Sequence, residues 1–225
     1  MLIGLYCCPA KFIGMDWAFA LRLEVAGGAF LPLFDMRSAT VLREVCTELR
    51  TAVAEHAWAD GSRIKGSLAA WRAGFSRARQ ANIRGRKDLV DADFVHLAGI
   101  HTLDMRGCKQ ASITDAAFVH LAGIHKLDMS ECRQDTITDA AFVHLAGIHV
   151  LDMSFCSQAT ITDAAFVHLA GIYRLILRFC KQGTITGATF RHLAGVGELG
   201  VAYCNQDTIN AASILQKHAS STLCY

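Results

Sequence analysis

One spacing governs this chain. Leu103, Leu127, Leu151, Leu175 and Leu199 recur every 24 residues, and Cys108, Cys132, Cys156, Cys180 and Cys204 keep the same step. So do Ile113, Ile137, Ile161, Ile185 and Ile209, as do Phe94, Phe118, Phe142, Phe166 and Phe190. Gly99, Gly123, Gly147, Gly171 and Gly195 close the set. Families of positions in common register mark a tandem array, and such an array restricts the fold more than composition can.

A single unit, Ile124 to Gly147, divides into two parts. Leu127-Asp128-Met129 alternates apolar and polar residues, the period of a short strand with one buried face. Thr138 and Asp139 offer an N-cap and a first-turn acid ahead of a helix-forming run from Ala140 to Ala146. Phe142 and Leu145 share one helical face, and Gly147 stands where a left-handed residue ends the helix. So short a unit cannot bury its apolar side alone, so the expected fold is an α/β solenoid of stacked strand–helix repeats.

The unit resembles the cysteine-containing subclass of the leucine-rich repeat, with L-x-x-L-x-L-x-x-C followed by I-T-D. The resemblance spans residues 78–217 and implies a horseshoe whose strands line the concave side and whose helices lie outside. Ala78, Ala81, Ile83 and Leu89-Val90-Asp91 read as a degenerate first repeat serving as a cap. The last unit loses its helix pattern after Ile214, where Gln216 and Lys217 replace His and Leu, so it reads as the other cap, with 218–225 as a C-terminal tail.

Residues 21–60 carry no repeat. Arg37 to Ala54 is helical in pattern, with Val41, Leu42, Val45, Leu49 and Val53 near one face, Leu31-Pro32 in a break before it, and Asp35 or Ser38 as caps. The stretch resembles an F-box through Leu21, Leu23-Glu24, Phe30-Leu31-Pro32, Leu42, Val45-Cys46 and Leu49, although Arg22 replaces the motif's opening proline. That resemblance implies a small all-α module docking the Skp-type adaptor of a cullin–RING ubiquitin ligase. Its expected contacts are Leu21, Leu23, Leu31, Pro32, Leu42, Val45, Cys46 and Leu49. A plain helical cap for the solenoid would show the same apolar periodicity. Residues 1–20, with Cys7-Cys8 and Trp17, either pack on the first helix or fray.

Residues 61–77 read as a basic linker or capping helix. From Gly61 to Lys87 the chain holds Arg63, Lys65, Arg72, Arg77, Arg79, Arg84, Arg86 and Lys87 and no acid, while the whole chain is only +2, leaving −6 elsewhere by difference. A basic stripe can bind nucleic acid or an acidic partner. Trp71 and Phe75, four apart within it, suggest instead an amphipathic helix docked on the first repeat with a solvated basic face. Nucleic acid is not the expected partner.

Hydrophobic residues make up 52% and charged ones 19%, which excludes disorder over the whole chain. Lys11, Asp16, Arg22 and Glu24 interrupt the apolar N-terminus before it reaches a membrane-spanning length, and no basic start marks a secretion signal. Nine cysteines without a C-x-x-C pair, five of them on the repeat, suit buried thiols in a reducing compartment, cytoplasmic or nuclear.

In a solenoid each repeat position becomes a column, with strand neighbours about 5 Å apart. The concave columns hold Asp104, Asp128 and Asp152, followed by Ile176 and Gly200. Beside them run Thr102, Lys126, Val150, Arg174 and Glu198, and Arg106, Ser130, Ser154, Arg178 and Ala202. A further column changes from Gly107 and Glu131 to Phe155, Phe179 and Tyr203, an aromatic ridge beside Arg174 and Arg178 of the kind that anchors protein interfaces. Leu223 and Tyr225 of the tail could instead cover that ridge. The expected target-binding set is Asp104, Asp128, Asp152, Phe155, Arg174, Arg178, Phe179 and Tyr203.

The cysteine column reads as core. The histidine columns, His96, His120, His144, His168 and His192 in the helix and His101, His125 and His149 before the strand, read as solvated or capping residues. No nucleophile–base set, phosphate-cradling loop or metal-ligand spacing stands out, so neither catalysis nor a cofactor is expected. The expected function is substrate recognition within a ubiquitin ligase, the arc holding an unknown protein target. The alternative is a leucine-rich-repeat scaffold whose N-terminal helices only cap it.

Overall fold

The computed structural model describes residues 31–44, 47–204 and a strand at 222–224. Among them, seven three-residue strands form one parallel sheet in sequence order. They are β1 (Gln80–Asn82), β2 (Thr102–Asp104), β3 (Lys126–Asp128), β4 (Val150–Asp152), β5 (Arg174–Ile176), β6 (Glu198–Gly200) and β7 (Thr222–Cys224). The register follows the repeat: Leu103 faces Leu127, Leu151, Leu175 and Leu199 in turn. Parallel neighbours need a long crossover, and the rest of each unit supplies it.

The return is short and tightens as it goes. Helix α4 (Asp115–Phe118) continues as a 3-10 turn through Leu121, α5 (Asp139–Phe142) does the same through Leu145, and Asp163–Leu169 is 3-10 throughout. A helix from Ala140 to Ala146 is thus only half α-helical, because a 24-residue unit leaves too little chain for a longer one. Gly147 ends it in the left-handed region, at φ 82°. Phe118, Phe142, Phe166, Leu103, Leu127 and Leu151 are fully buried, so each unit's core is closed by the next.

Two polar devices join neighbours. Thr114, Thr138 and Thr162 cap their own helices, and each gives its amide and its hydroxyl to the carboxylate of the preceding unit: Asp91, Asp115 and Asp139, all at 2.7 Å. The repeated Thr-Asp pair is therefore both cap and staple. The cysteine thiols donate inward, Cys132 to the Met105 carbonyl and Cys156 to that of Met129, each at 3.3 Å. Burial pushes the Cys108 thiol up to about 11 and raises those of Cys132 and Cys156 further. These are protonated core groups, not nucleophiles.

The N-terminal helices pack on one another in sequence, and the last of them packs on the first repeat. The pattern from Arg37 to Ala54 is two helices rather than one, α1 (Met36–Leu42) and α2 (Thr47–Glu55). The chain turns at Arg43 and Glu44, and Arg50 Nε holds the Arg43 carbonyl at 3.2 Å. Asp35 is the N-cap of α1, accepting from the Ser38 amide at 2.7 Å. Trp58 donates its indole N–H to the Val53 carbonyl at 2.7 Å and meets Phe75 edge-on at 5.7 Å. Helix α3 (Leu68–Gly74) buries Trp71 and, at its C-cap, Phe75, as the amphipathic pattern predicts.

Two expectations change at the ends. Val41 is 60% exposed, while Leu42 and Val53 turn inward, so the apolar face is narrower than the pattern suggests. Strand β7 lies within the segment read as a tail: Leu223 pairs with Leu199, one period on, and continues the ladder as a seventh rung. Two of the eight cations in the basic stretch are structural. Arg72 donates to carbonyls including that of His96 at 2.9 Å, and Arg86 pairs with Asp88 while bonding the Gly66 carbonyl at 2.8 Å.

Candidate protein-binding face

The concave floor is set by strand alternation. Asp104, Asp128 and Asp152 are in-register partners on β2, β3 and β4, with Ile176 and Gly200 continuing the row. Arg106 lies between the first two, at 2.6 Å from Asp104 and 3.3 Å from Asp128. Asp128 also accepts the amide and hydroxyl of Ser130, and Asp152 accepts the Ser154 amide at 2.9 Å. Burial pushes Asp104 up, but the Arg106 hydrogen bonds outweigh it and hold the carboxyl below the usual range. At Asp128, burial together with the neighbouring Asp152 prevails, and the carboxyl is raised.

The other end of the floor differs. Arg174 pairs with Glu198 at 3.0 Å. Arg178 and Ile176 lie over Gly200, where an added Cβ would come within 3.1 Å of Ile176 Cδ1. The Arg178 Nε is buried with no partner among the described residues.

The rim after the strands carries the aromatic ridge. Phe155 and Phe179 stack at 4.5 Å with planes 6° apart, and Phe179 and Tyr203 at 4.6 Å and 11°. Phe155 is 38% exposed and Tyr203 67%. Their backbones are left-handed, at φ 60°, 59° and 59°, as is Glu131 at 62°. Gly85 and Gly107 adopt the same conformation in earlier units. A side chain there costs about 1–2 kcal/mol. Ladder bonds impose it: the Phe155 amide reaches the Arg178 carbonyl at 2.8 Å, and the Phe179 amide that of Ala202 at 3.0 Å.

A second ladder precedes the strands. His101, His125 and His149 stack at 4.4 and 4.6 Å, and Tyr173 joins as a fourth ring at 4.9 Å. Desolvation, with His101 and His149 adding to it, lowers the His125 pKa. Tyr173 in turn requires Gly197, where a Cβ would come within 2.5 Å of its ring. The histidine column alone does not announce that fourth ring, yet Tyr173 is 24 residues after His149, so the signal was present.

All eight residues of the expected target-binding set therefore share one concave face and its rim. Only half of the expected adaptor set falls among the described residues. Leu31, Leu42 and Leu49 are buried and Pro32 is exposed, while Leu21, Leu23, Val45 and Cys46 lie outside the described residues. No described helix is long and apolar enough to cross a membrane. Among the described residues no group of three or more His, Cys, Asp or Glu could hold a metal ion.

Parallel three-residue strands, a leucine–cysteine core and helical returns define a leucine-rich-repeat solenoid. No family model matches the chain, and no curated protein does. A TLR13–ssRNA13 complex is a structural likeness at 20% identity and TM-score 0.49, covering 59% of this chain and 19% of that one. The Toll–Spätzle complex of Drosophila is another, at 9% identity and TM-score 0.41, covering 69% of this chain and 30% of that one. The chain spans less than a third of the length of either.

Proposed function

We propose that this chain is a non-catalytic protein-binding scaffold that holds a protein target along its concave face, anchored on the Phe155–Phe179–Tyr203 ridge. The observation that carries the reading is the ridge itself, three stacked rings left solvent-accessible on strained left-handed backbone. Flat aromatic surface beside arginine supplies anchoring area at low entropic cost. The test is cross-linking mass spectrometry of partners held by the wild type, by Phe155→Ala with Phe179→Ala, and by Asp128→Ala. The aromatic pair is expected to lose partners about tenfold and Asp128→Ala less than threefold. The reverse order would move the site to the aspartates.

The substrate-receptor reading within a ubiquitin ligase rests on the F-box resemblance around Leu31-Pro32, Leu42 and Leu49. Burial of Leu31, Leu42 and Leu49 puts the scaffold reading first. It also makes Leu49→Glu a test of packing rather than of docking. Co-expression of the intact chain with a Skp-type adaptor, followed by size-exclusion chromatography, decides between them. A stable one-to-one complex would establish the ligase role. A folded chain eluting alone leaves the scaffold.

A further inference from the structure

Of the eight cations in the basic stretch, Arg72 and Arg86 are consumed by the fold, and of the six that remain four concern the first rungs: Arg63, Lys65, Arg84 and Lys87. Arg63 bridges Asn82 in parallel register, adding a partial rung ahead of β1, and Asn82 partners Asp104 on the concave side. Exposure alternates along both segments: Arg63 and Lys65 are exposed around buried Ile64, and Arg84 is exposed after buried Ile83. Arg63, Lys65 and Arg84 thus stand on the concave side of two successive rungs, about 5 Å apart. Lys87, also exposed, follows Gly85 by two residues as Lys109 follows Gly107 one unit later, where Lys109 pairs with the rim residue Glu131 at 3.6 Å. The Arg63 guanidinium reaches across to Gly85, whose Cβ would lie 3.6 Å away. None of the four pairs with a described acid: Asp88 is held by Arg86 and Asp104 by Arg106.

Next along the arc the sign reverses. Asp104 and Asp128 share Arg106, and among the described residues no cation pairs with Asp152. A continuous polyanion following the floor would leave the cationic rungs and meet the carboxylates of Asp104 and Asp128 within two strands. Nucleic acid is therefore disfavoured beyond its first contacts, whereas a peptide with localised negative charge is not. From the Arg84 rung to the Phe155 rung is three strand spacings, about 14 Å, which an extended chain covers in about four residues.

We infer that the N-terminal end of the concave face, formed by Arg63, Lys65, Arg84 and Lys87, binds an anionic peptide segment, and that this segment lies about four residues from the apolar anchor seated on the aromatic ridge. The inference rests on the scaffold reading and specifies its partner: a protein segment with clustered aspartate, glutamate or phosphorylated residues at one end and an aromatic or aliphatic anchor at the other.

Fluorescence anisotropy on the intact chain tests it. The probe is a labelled peptide of three glutamates, a four-residue glycine–serine spacer and a leucine–phenylalanine pair, with a phosphoserine version alongside. Wild type is expected to bind both. Arg63→Glu with Arg84→Glu should weaken binding about tenfold and Lys65→Ala with Lys87→Ala about threefold, both effects shrinking at high salt. These residues are exposed, and circular dichroism checks that the variants stay folded. An oligouridylate of equal charge should bind about tenfold more weakly than the peptide. Undiminished affinity in the charge-reversed variant overturns the inference, as does failure of wild type to bind either peptide. Tighter oligouridylate binding that the same variant abolishes would assign the patch to nucleic acid instead. A peptide that loses affinity on Phe155→Ala with Phe179→Ala but not on charge reversal leaves the scaffold reading standing and removes only this one.

Discussion

The two halves of the arc share a backbone and differ in surface. At β2 to β4 the floor is Asp104, Asp128 and Asp152 with Arg106 between the first two. At β5 and β6 the same positions hold Ile176 and Gly200, and the rim carries stacked aromatic rings that begin at Phe155, just after β4. Beneath both, the leucine, cysteine, isoleucine and phenylalanine columns run on unchanged. Inward columns are held by close packing and by bonds to the neighbouring unit, so they are nearly invariant. Outward columns are free to vary without disturbing the solenoid, and the binding chemistry varies there.

That comparison can be broken at the core. Phe142→Ala in the acidic half and Phe166→Ala beneath the aromatic half should each cost about 3–5 kcal/mol, because both rings are fully buried. Urea unfolding followed by circular dichroism measures this. Costs that differ by more than about 2 kcal/mol would mean that the two halves do not share one core.

A smaller effect is expected from the buried glutamines. Gln134, Gln158 and Gln182 form a column whose amide atoms have no hydrogen-bond partner among the described residues. Gln158→Met removes an uncompensated amide of similar volume and should raise stability by about 1 kcal/mol. A loss of that size in the melting curve would show that the amides are satisfied, for instance by buried water.

The left-handed column separates the halves more finely. Glu131→Gly should stabilise by about 0.5–1 kcal/mol, since glycine relieves the strain and the exposed Lys109 pair it removes, at 3.6 Å, is weak. Phe155→Gly should not, because it also removes the ring stacked on Phe179 at 4.5 Å. Equal gains from both substitutions would argue that the stacking contributes nothing.

The smallest effect concerns Asp128. Its carboxyl is raised by burial and by Asp152, so ionisation opposes folding. Its contribution is most favourable below the unfolded value of 3.8 and is lost as pH rises through the folded one. Asp128→Asn should therefore raise the melting temperature near pH 7, with the gain closing toward about pH 4. A gain that persists in acid would assign the effect to something other than charge.

Much of this was legible in the repeat. The strand at Leu127-Asp128-Met129, the Thr138 cap, the glycine stop and the aromatic ridge each follow from a residue type at a fixed offset. The Thr–Asp staple was half legible: the capping role of Thr138 is local, but its bond to Asp115 needs the previous unit in place. Leu223 was in register with Leu199 yet read as tail, because the flanking helix pattern lapses before it. The F-box-like apolar positions illustrate the opposite limit. Helical periodicity shows that Leu42 and Leu49 face something, and it cannot say whether that is a partner or the chain's own first rung.

The sequence alone determined the unit, its length and which columns point inward, because a fixed period of apolar residues admits one stacked arrangement. Only the tertiary structure decided which charges cancel and which stay free. Arg106 between Asp104 and Asp128, Arg72 on the carbonyls beneath α3, and Arg63 against Gly85 all depend on distances between residues on different rungs. Electrostatic interaction falls with separation in space, and position along the chain does not encode that separation until the rungs are stacked.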